Sequence, residues 1–490
     1  MFETAELGAK ISREEFDEAA GPLRLDLLAL QERLRQAEFP VLILFAGVNG
    51  AGKSETVNLL NEWLDPHWIV THAYDQPSQE ESERPTLWRF WRDLPKHGQI
   101  GLFLSGWYSR PLLDRVYRRA DKADFDRRLD DNAIFERLLA DDGALILKFW
   151  MHLDKRGQRK RLKALAADPL QNWRVNREDW RNWRRYGRFI KAAEHTIRRT
   201  DASHARWTII DGSDPRYRSL TVLRLLRDAL KQHLDRPSPP KVAAAKILPL
   251  RDSVLAKLDL TQQLEDKHYE TALREARADL AVLAHEANQR GISSVALFEG
   301  WDAAGKGGAI RRIASALDAR HWQVMPVGAP TDEEKAHHYL WRFWRQLPRA
   351  GHMLIYDRSW YGRILVERVE GFARPEEWQR AFAEINNFEE QLLHHGMVLA
   401  KFWLHISPEE QFRRFELRDS VAYKKWKLTD EDWRNRAKWD AYEAAVQEMV
   451  ERTSSRAAPW SLIEGNDKNF ARVKIIRSLC ERYRDRLARP

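Results

Sequence analysis

The chain has 490 residues, too many for one ordinary hydrophobic core, and its 43% hydrophobic and 32% charged residues with 21 tryptophans exclude a largely disordered chain. No apolar run reaches the roughly eighteen residues of a membrane span, and Glu3 and Glu6 stand where a secretion signal would be positively charged, so a cytoplasmic protein is expected. The single cysteine, Cys480, excludes an intrachain disulfide and a thiolate zinc cluster and reads as a small buried hydrophobe, while the net charge of +9 favours polyanionic partners.

In chain order, an amphipathic helical stretch leads into an apolar run, Val41-Leu42-Ile43-Leu44-Phe45, which ends in the glycine loop Gly47-Val48-Asn49-Gly50-Ala51-Gly52-Lys53-Ser54. Leu87-Trp88-Arg89-Phe90-Trp91-Arg92 follows and recurs letter for letter as Leu340-Trp341-Arg342-Phe343-Trp344-Arg345, a displacement of 253 (340 − 87). The same displacement carries Phe45 onto Phe298, Lys53 onto Lys306, Trp107-Tyr108 onto Trp360-Tyr361, Lys148-Phe149-Trp150 onto Lys401-Phe402-Trp403, and Trp180 onto Trp433. A period this long marks a duplicated domain, since solenoid repeats run about 20–50 residues. Arg236-Pro237-Ser238-Pro239-Pro240, the alanine-rich run after it and Pro249 read as a stiff linker. Domains over 1–235 and 251–490 are therefore expected, joined by 236–250.

The second copy repeats the order: Ser294-Val295-Ala296-Leu297-Phe298, a glycine loop, then buried-strand candidates at Met353–Tyr356, Val398–Trp403 and Trp460–Ile463 with helical sequence between. Strands alternating with helices predict an α/β fold with a parallel sheet covered on both faces, ligands sitting beyond the carboxyl ends of the strands. Leu340, Phe343 and Trp344 share one helical face and, being kept in both copies, read as core. Arg342 and Arg345 are left open between phosphate and solvent.

The first loop matches the Walker A phosphate-binding pattern at every fixed position. In the second, Gly300-Trp301-Asp302-Ala303-Ala304-Gly305-Lys306-Gly307-Gly308 keeps the spaced Gly300 and Gly305 and the lysine, with Gly307 in place of the usual hydroxyl. Such a loop aims backbone N–H groups and a helix start at phosphate, and here Gly300, Gly305, Lys306, Gly307 and Gly308 are the candidate cradle. A kinase of this kind needs an acid at the end of a neighbouring strand, roughly fifty residues on, to hold Mg²⁺. Asp357 stands there, and Asp302, inside the loop, lies where it would replace the ligand missing at Gly307. Asn49 and Leu104 occupy these two places in the first copy, with Ser105 at the place of Arg358. The first copy thus has the better Walker loop and is expected to be catalytically degenerate. Beyond Asp357, Arg358 and Arg363 are candidate phosphate contacts. Arg413, Arg414, Arg418 and Lys424-Lys425-Trp426-Lys427 read either as cations closing over the site or as a solvated helix among Glu409, Glu410 and Glu416.

The second loop, the Y-L-W-R-F-W-R segment, the D-R-S-W-Y-G-R-I-L-V-E-R-V block from Asp357, and the late Ala458-Pro459-Trp460 and Asn466-Asp467-Lys468 elements together resemble the polyphosphate kinase type 2 family. The resemblance covers the C-terminal half nearly throughout and the N-terminal half as a diverged copy, in the manner of the family's two-domain members, which make ADP from AMP with polyphosphate as donor. It implies tandem P-loop kinase-like domains with helical lids, Mg²⁺ dependence and a basic channel for inorganic polyphosphate. By motif it assigns Asp302 and Asp357 as essential acids, Lys306, Arg358 and Arg363 as phosphate contacts, and Glu367 as a further acid near the metal. Pro215, at the place of Lys468, is one more departure in the first copy.

Two other readings fit parts of the pattern. An ATP-dependent nucleoside or nucleotide kinase would need only the loop. A non-catalytic polyanion-binding protein, including one for nucleic acid, would need only the positive charge, and acids beside a phosphate loop argue against it. No membrane partner is expected, and the sequence is compatible with a homo-oligomer.

Overall fold

The computed structural model describes residues 1–236, 253–420 and 430–489. All of the expected linker except Arg236, and the whole Lys424–Lys427 run, lie outside them. The chain divides into two compact units, Met1–Pro77 with Arg89–Pro239 and Thr331–His338, and Ser78–Trp88 with Pro240–Pro330 and Tyr339–Pro490. Each unit therefore takes in a short segment from the other sequence repeat.

The first unit is built on a five-stranded parallel sheet of β1 (Val41–Gly47), β2 (Ile69–Ala73), β3 (Ile100–Leu104), β4 (Leu145–His152) and β5 (Trp207–Asp211), in the order β2-β3-β1-β4-β5. The second repeats it with β6 (Ser294–Gly300), β7 (Trp322–Pro326), β8 (Met353–Asp357), β9 (Val398–His405) and β10 (Trp460–Glu464), in the order β7-β8-β6-β9-β10. The central strands are buried along almost their whole length, as in β6 and β9, because helices cover both faces. The edge strands β2 and β7 escape a reading based on apolar runs because about half their residues face outward.

The helices used below are, in the first unit, α1 (Lys53–Trp63), α2 (Arg177–Arg184) and α3 (Pro215–Leu234), and in the second α4 (Lys306–Ala314), α5 (Trp341–Arg345), α6 (Pro408–Ser420), α7 (Asp430–Ala437), α8 (Trp439–Thr453) and α9 (Lys468–Leu487). Trp341, Phe343 and Trp344 of α5 are buried, as is the preceding Leu340, so the repeated aromatic segment is core. Arg342 donates to the Gly328 carbonyl and Arg345 stacks over Trp341 at 4.3 Å. Cys480 is fully buried, and burial pushes its thiol up to about 12. Among the described residues no helix is long and apolar enough to cross a membrane.

Candidate active site

The site lies at the carboxyl edge of the second sheet. Strand β6 delivers the chain into the loop at Gly300 (φ +151°), where a Cβ would fall 2.6 Å from the Leu404 carbonyl, so only glycine lets the loop pass β9 so closely. Gly305, at φ +114°, caps α4. Gly307 and Gly308 form the first turn of α4; a Cβ on Gly307 would meet nothing, and one on Gly308 only the edge of Arg472. Lys306 folds back over the loop, donating from Nζ to the carbonyls of Gly300 (2.6 Å) and Trp301 (3.2 Å).

The parallel register pairs Phe298 of β6 with Asp357 of β8, bringing the strand-end acid beside the loop. The next residue, Arg358, has φ +64°, a left-handed conformation rare outside glycine. Ser105 repeats it at φ +56°, so the duplicated backbone keeps this kink whatever the side chain. It sends the Arg358 guanidinium to 3.6 Å from Asp302 and 3.5 Å from Glu431. Asp302 also accepts a 2.9 Å hydrogen bond from Asn435 Nδ2 on α7. The surrounding carboxylates, Asp302 first, outweigh burial and raise the Arg358 pKa, so the site holds it as a cation.

Two other expected residues pair with each other. Arg363 stacks on Tyr339 at 4.5 Å and meets Glu367 at 3.2 Å, and among the described residues no ion pair or hydrogen bond joins either to Asp302 or Asp357. The expected α6 cations divide. Arg413 is exposed and paired with Glu410. Arg414 is 3% exposed and donates to the carbonyls of Ala303, Ala304, Gly465 and Asn466, clamping the loop from behind. Asp467 caps α9, and burial with the cations Arg414 and Arg472 outweighs nearby Glu410 and brings Lys468 down to about 8.

Reasoning from the sequence missed Glu299 and the pair Glu431 and Asn435. Glu299 is buried in β6 directly before the loop, its carboxyl raised by burial and bonded by Ser359 Oγ at 2.8 Å. An acid inside an otherwise apolar strand, with Ala46 at the same place in the first copy, was the available signal. For Glu431 and Asn435 the available signal was the run Glu431-Asp432-Trp433-Arg434-Asn435, which repeats Glu178-Asp179-Trp180-Arg181-Asn182 letter for letter at the same displacement of 253, although the run does not say which loop residues the helix meets.

The first unit has the same loop with different contents. Lys53 folds onto the Gly47 and Val48 carbonyls at 3.0 Å each, and burial brings it down to about 8. Leu104 ends β3 where Asp357 ends β8. One correction is needed to a loop facing only Asn49 and Leu104: Asp179 of α2 accepts from Asn49 at 2.9 Å and its charge acts on Lys53. Behind this loop Arg218 of α3 donates to the Gly212 carbonyl and pairs with Glu55, taking the place that Arg414 fills from another helix in the second unit.

The sequence pattern of polyphosphate kinase 2 (PPK2) matches residues 10–237 and again 263–489. The chain belongs to the PPK2 family. A polyphosphate:AMP phosphotransferase of Pseudomonas aeruginosa is 48% identical over 484 residues, covering 98% of each chain. One from Acinetobacter johnsonii is 37% identical over 471 residues, 94% of this chain and 96% of the other. A crystal structure from Pseudomonas aeruginosa PA01 assigned to polyphosphate kinase 2 superposes with a TM-score of 0.89 at 45% identity, over 100% of this chain and 99% of that one. The family holds two tandem PPK2 domains here, each on its own five-stranded parallel sheet.

Proposed function

We propose that this enzyme transfers a phosphoryl group from inorganic polyphosphate to AMP, giving ADP, and that the reaction runs in the second domain. End-to-end similarity to phosphotransferases named for that reaction carries the assignment of substrates. The assignment of the domain rests on Glu299, Asp302, Asp357 and Arg358, which stand round the second loop where the first has Ala46, Asn49, Leu104 and Ser105. On this reading residues 1–235 form a catalytically degenerate domain, 236–250 the linker and 251–490 the catalytic domain, and the protein works in the cytoplasm.

Phosphoryl transfer asks a protein mainly for positioning and for positive charge around the moving group. The backbone N–H groups of Gly305, Lys306 and Gly307 at the start of α4 would hold phosphate, with Lys306 leaving its loop carbonyls for the incoming anion, whereas the Gly308 N–H, expected in the cradle, already donates to the Gly305 carbonyl at 3.0 Å. Arg358, held charged between two carboxylates, would meet the phosphoryl oxygens. Arg363 and Glu367, a paired unit, would line the approach. Asp302 and Asp357 suit Mg²⁺, a hard cation that needs only one or two protein carboxylates when phosphate oxygens and water complete its shell. The ion would neutralise charge on the transferring group.

Product analysis tests the proposal. Purified protein with Mg²⁺ and polyphosphate should convert AMP to ADP faster than it converts ADP to ATP or phosphorylates GMP or GDP, and chelation of Mg²⁺ should stop it. ATP replacing polyphosphate as the better donor would favour an ordinary nucleotide kinase and overturn the assignment.

A further inference from the structure

We infer that Asn435 is a positioning residue for Asp302, and that α7 is the strut that sets both the acid and Arg358. The inference rests on the catalytic reading of Asp302 given above. Asn435 and Glu431 lie four apart on α7 and so share one face. From that face Asn435 Nδ2 donates to Asp302 at 2.9 Å, and the Glu431 carboxylate stands 3.5 Å from Arg358.

The amide's orientation is itself fixed. Tyr442 Oη donates to Asn435 Oδ1 at 3.1 Å, which leaves the NH₂ end for the loop. Burial, with Glu370 and Asp302 nearby, raises the Tyr442 pKa, so the phenol remains a donor. The buried Glu370 carboxylate sits 3.4 Å from the same hydroxyl and anchors Lys438 at 2.8 Å, at the junction of α7 and α8. Trp301, next to Asp302, stacks on Trp439 at the start of α8 with centroids 3.7 Å apart and planes within 10°. Loop and helix are thus registered on both sides of the hydrogen bond.

The first domain supplies the contrast. Asn182, at the place of Asn435, accepts from Tyr117 at 2.6 Å, but the loop residue Asn49 donates instead to Asp179. Phe189 replaces Tyr442, and Val48 and Tyr186 replace the stacked tryptophans. The helix survives the duplication, while its bond to a loop carboxylate belongs to the second domain alone.

The test is steady-state kinetics on Asn435→Ala, Asn435→Asp, Asp302→Asn and the double variant Asp302→Asn/Asn435→Ala, with Asn182→Ala as a control and melting curves for folding. A hydrogen bond to a carboxylate is worth enough to move kcat about ten- to a hundredfold, so Asn435→Ala should lower kcat by that factor with little change in KM for AMP. Asn435→Asp, which keeps the shape but sets a like charge against Asp302, should be the worse variant; a packing role would make it the milder. In the double variant the Asn435 substitution should cost little beyond Asp302→Asn, and Asn182→Ala should turn over normally. Full turnover in Asn435→Ala while Asp302→Asn is inactive would overturn the positioning role alone, as would losses that multiply in the double variant. Normal turnover in Asp302→Asn would remove the catalytic reading beneath it.

Discussion

Lys401 Nζ lies 2.7 Å from the Glu389 carboxylate with both side chains buried, and Lys148 meets Glu136 at the same distance in the first domain. In the second domain Trp360 and Tyr361 also donate to Glu389, and Lys401 donates to the Thr453 carbonyl. Trp360 and Tyr361, from the motif block that follows Asp357, thus join Lys401 of β9 in a buried polar knot rather than in the site.

Breaking this knot should destabilise without touching chemistry. Removing one partner of a buried pair strands the other charge, at about 3–5 kcal/mol. Lys401→Met should therefore lose about that much in chemical denaturation, and Lys401→Met/Glu389→Leu should recover part of the loss. Wild-type stability in the single variant would show that the pair is dispensable.

Asp302→Asn and Asp357→Asn should each lower polyphosphate-dependent ADP formation by about 10²–10³, the usual cost of losing one electrostatic contributor at a transferring group. Melting temperatures should stay near the parent's, because asparagine keeps the size and shape of each acid and neither acid is fully buried. An Asp357→Asn variant with normal turnover would take that residue out of the site.

The two loop lysines should behave differently. Lys306→Ala should abolish most activity, since its loop is flanked by Glu299, Asp302, Asp357 and Arg358. Lys53→Ala should leave most turnover intact: Leu104 ends the strand beside its loop, and Asn49 is bonded to Asp179. Equal loss in both folded variants would make the first domain catalytic.

His405 provides a pH test of the loop's support. Its Nδ1 accepts from the indoles of Trp301 (3.2 Å) and Trp403 (3.4 Å), and burial lowers its pKa to about 4. The unfolded chain takes up this proton below about 6.5, the ordinary histidine value, and the folded chain only below about 4. Stability from this group is therefore complete above pH 6.5 and is lost as pH falls to 4, by roughly 2–4 kcal/mol. Denaturant titrations at pH 7, 5.5 and 4.5 should show this decline, and His405→Gln should flatten it. An unchanged slope in the variant would assign the acid sensitivity to other groups.

The sequence alone determined the duplication, the α/β alternation, both phosphate loops and the two acids that separate them. Each is a local pattern: apolar runs, glycine spacing, and residues at one fixed displacement. Tertiary structure alone decided which charged groups meet. Arg414, open in the sequence between a cation over the site and a residue of a solvated helix, is instead a buried clamp on loop carbonyls, while Arg363 and Glu367 neutralise each other. Asp179 returns a carboxylate to a loop that had lost its own, and Asn435 reaches Asp302 across 133 residues of chain. Charged side chains take partners from whatever element packs beside them, and spacing along the chain carries no record of that distance in space.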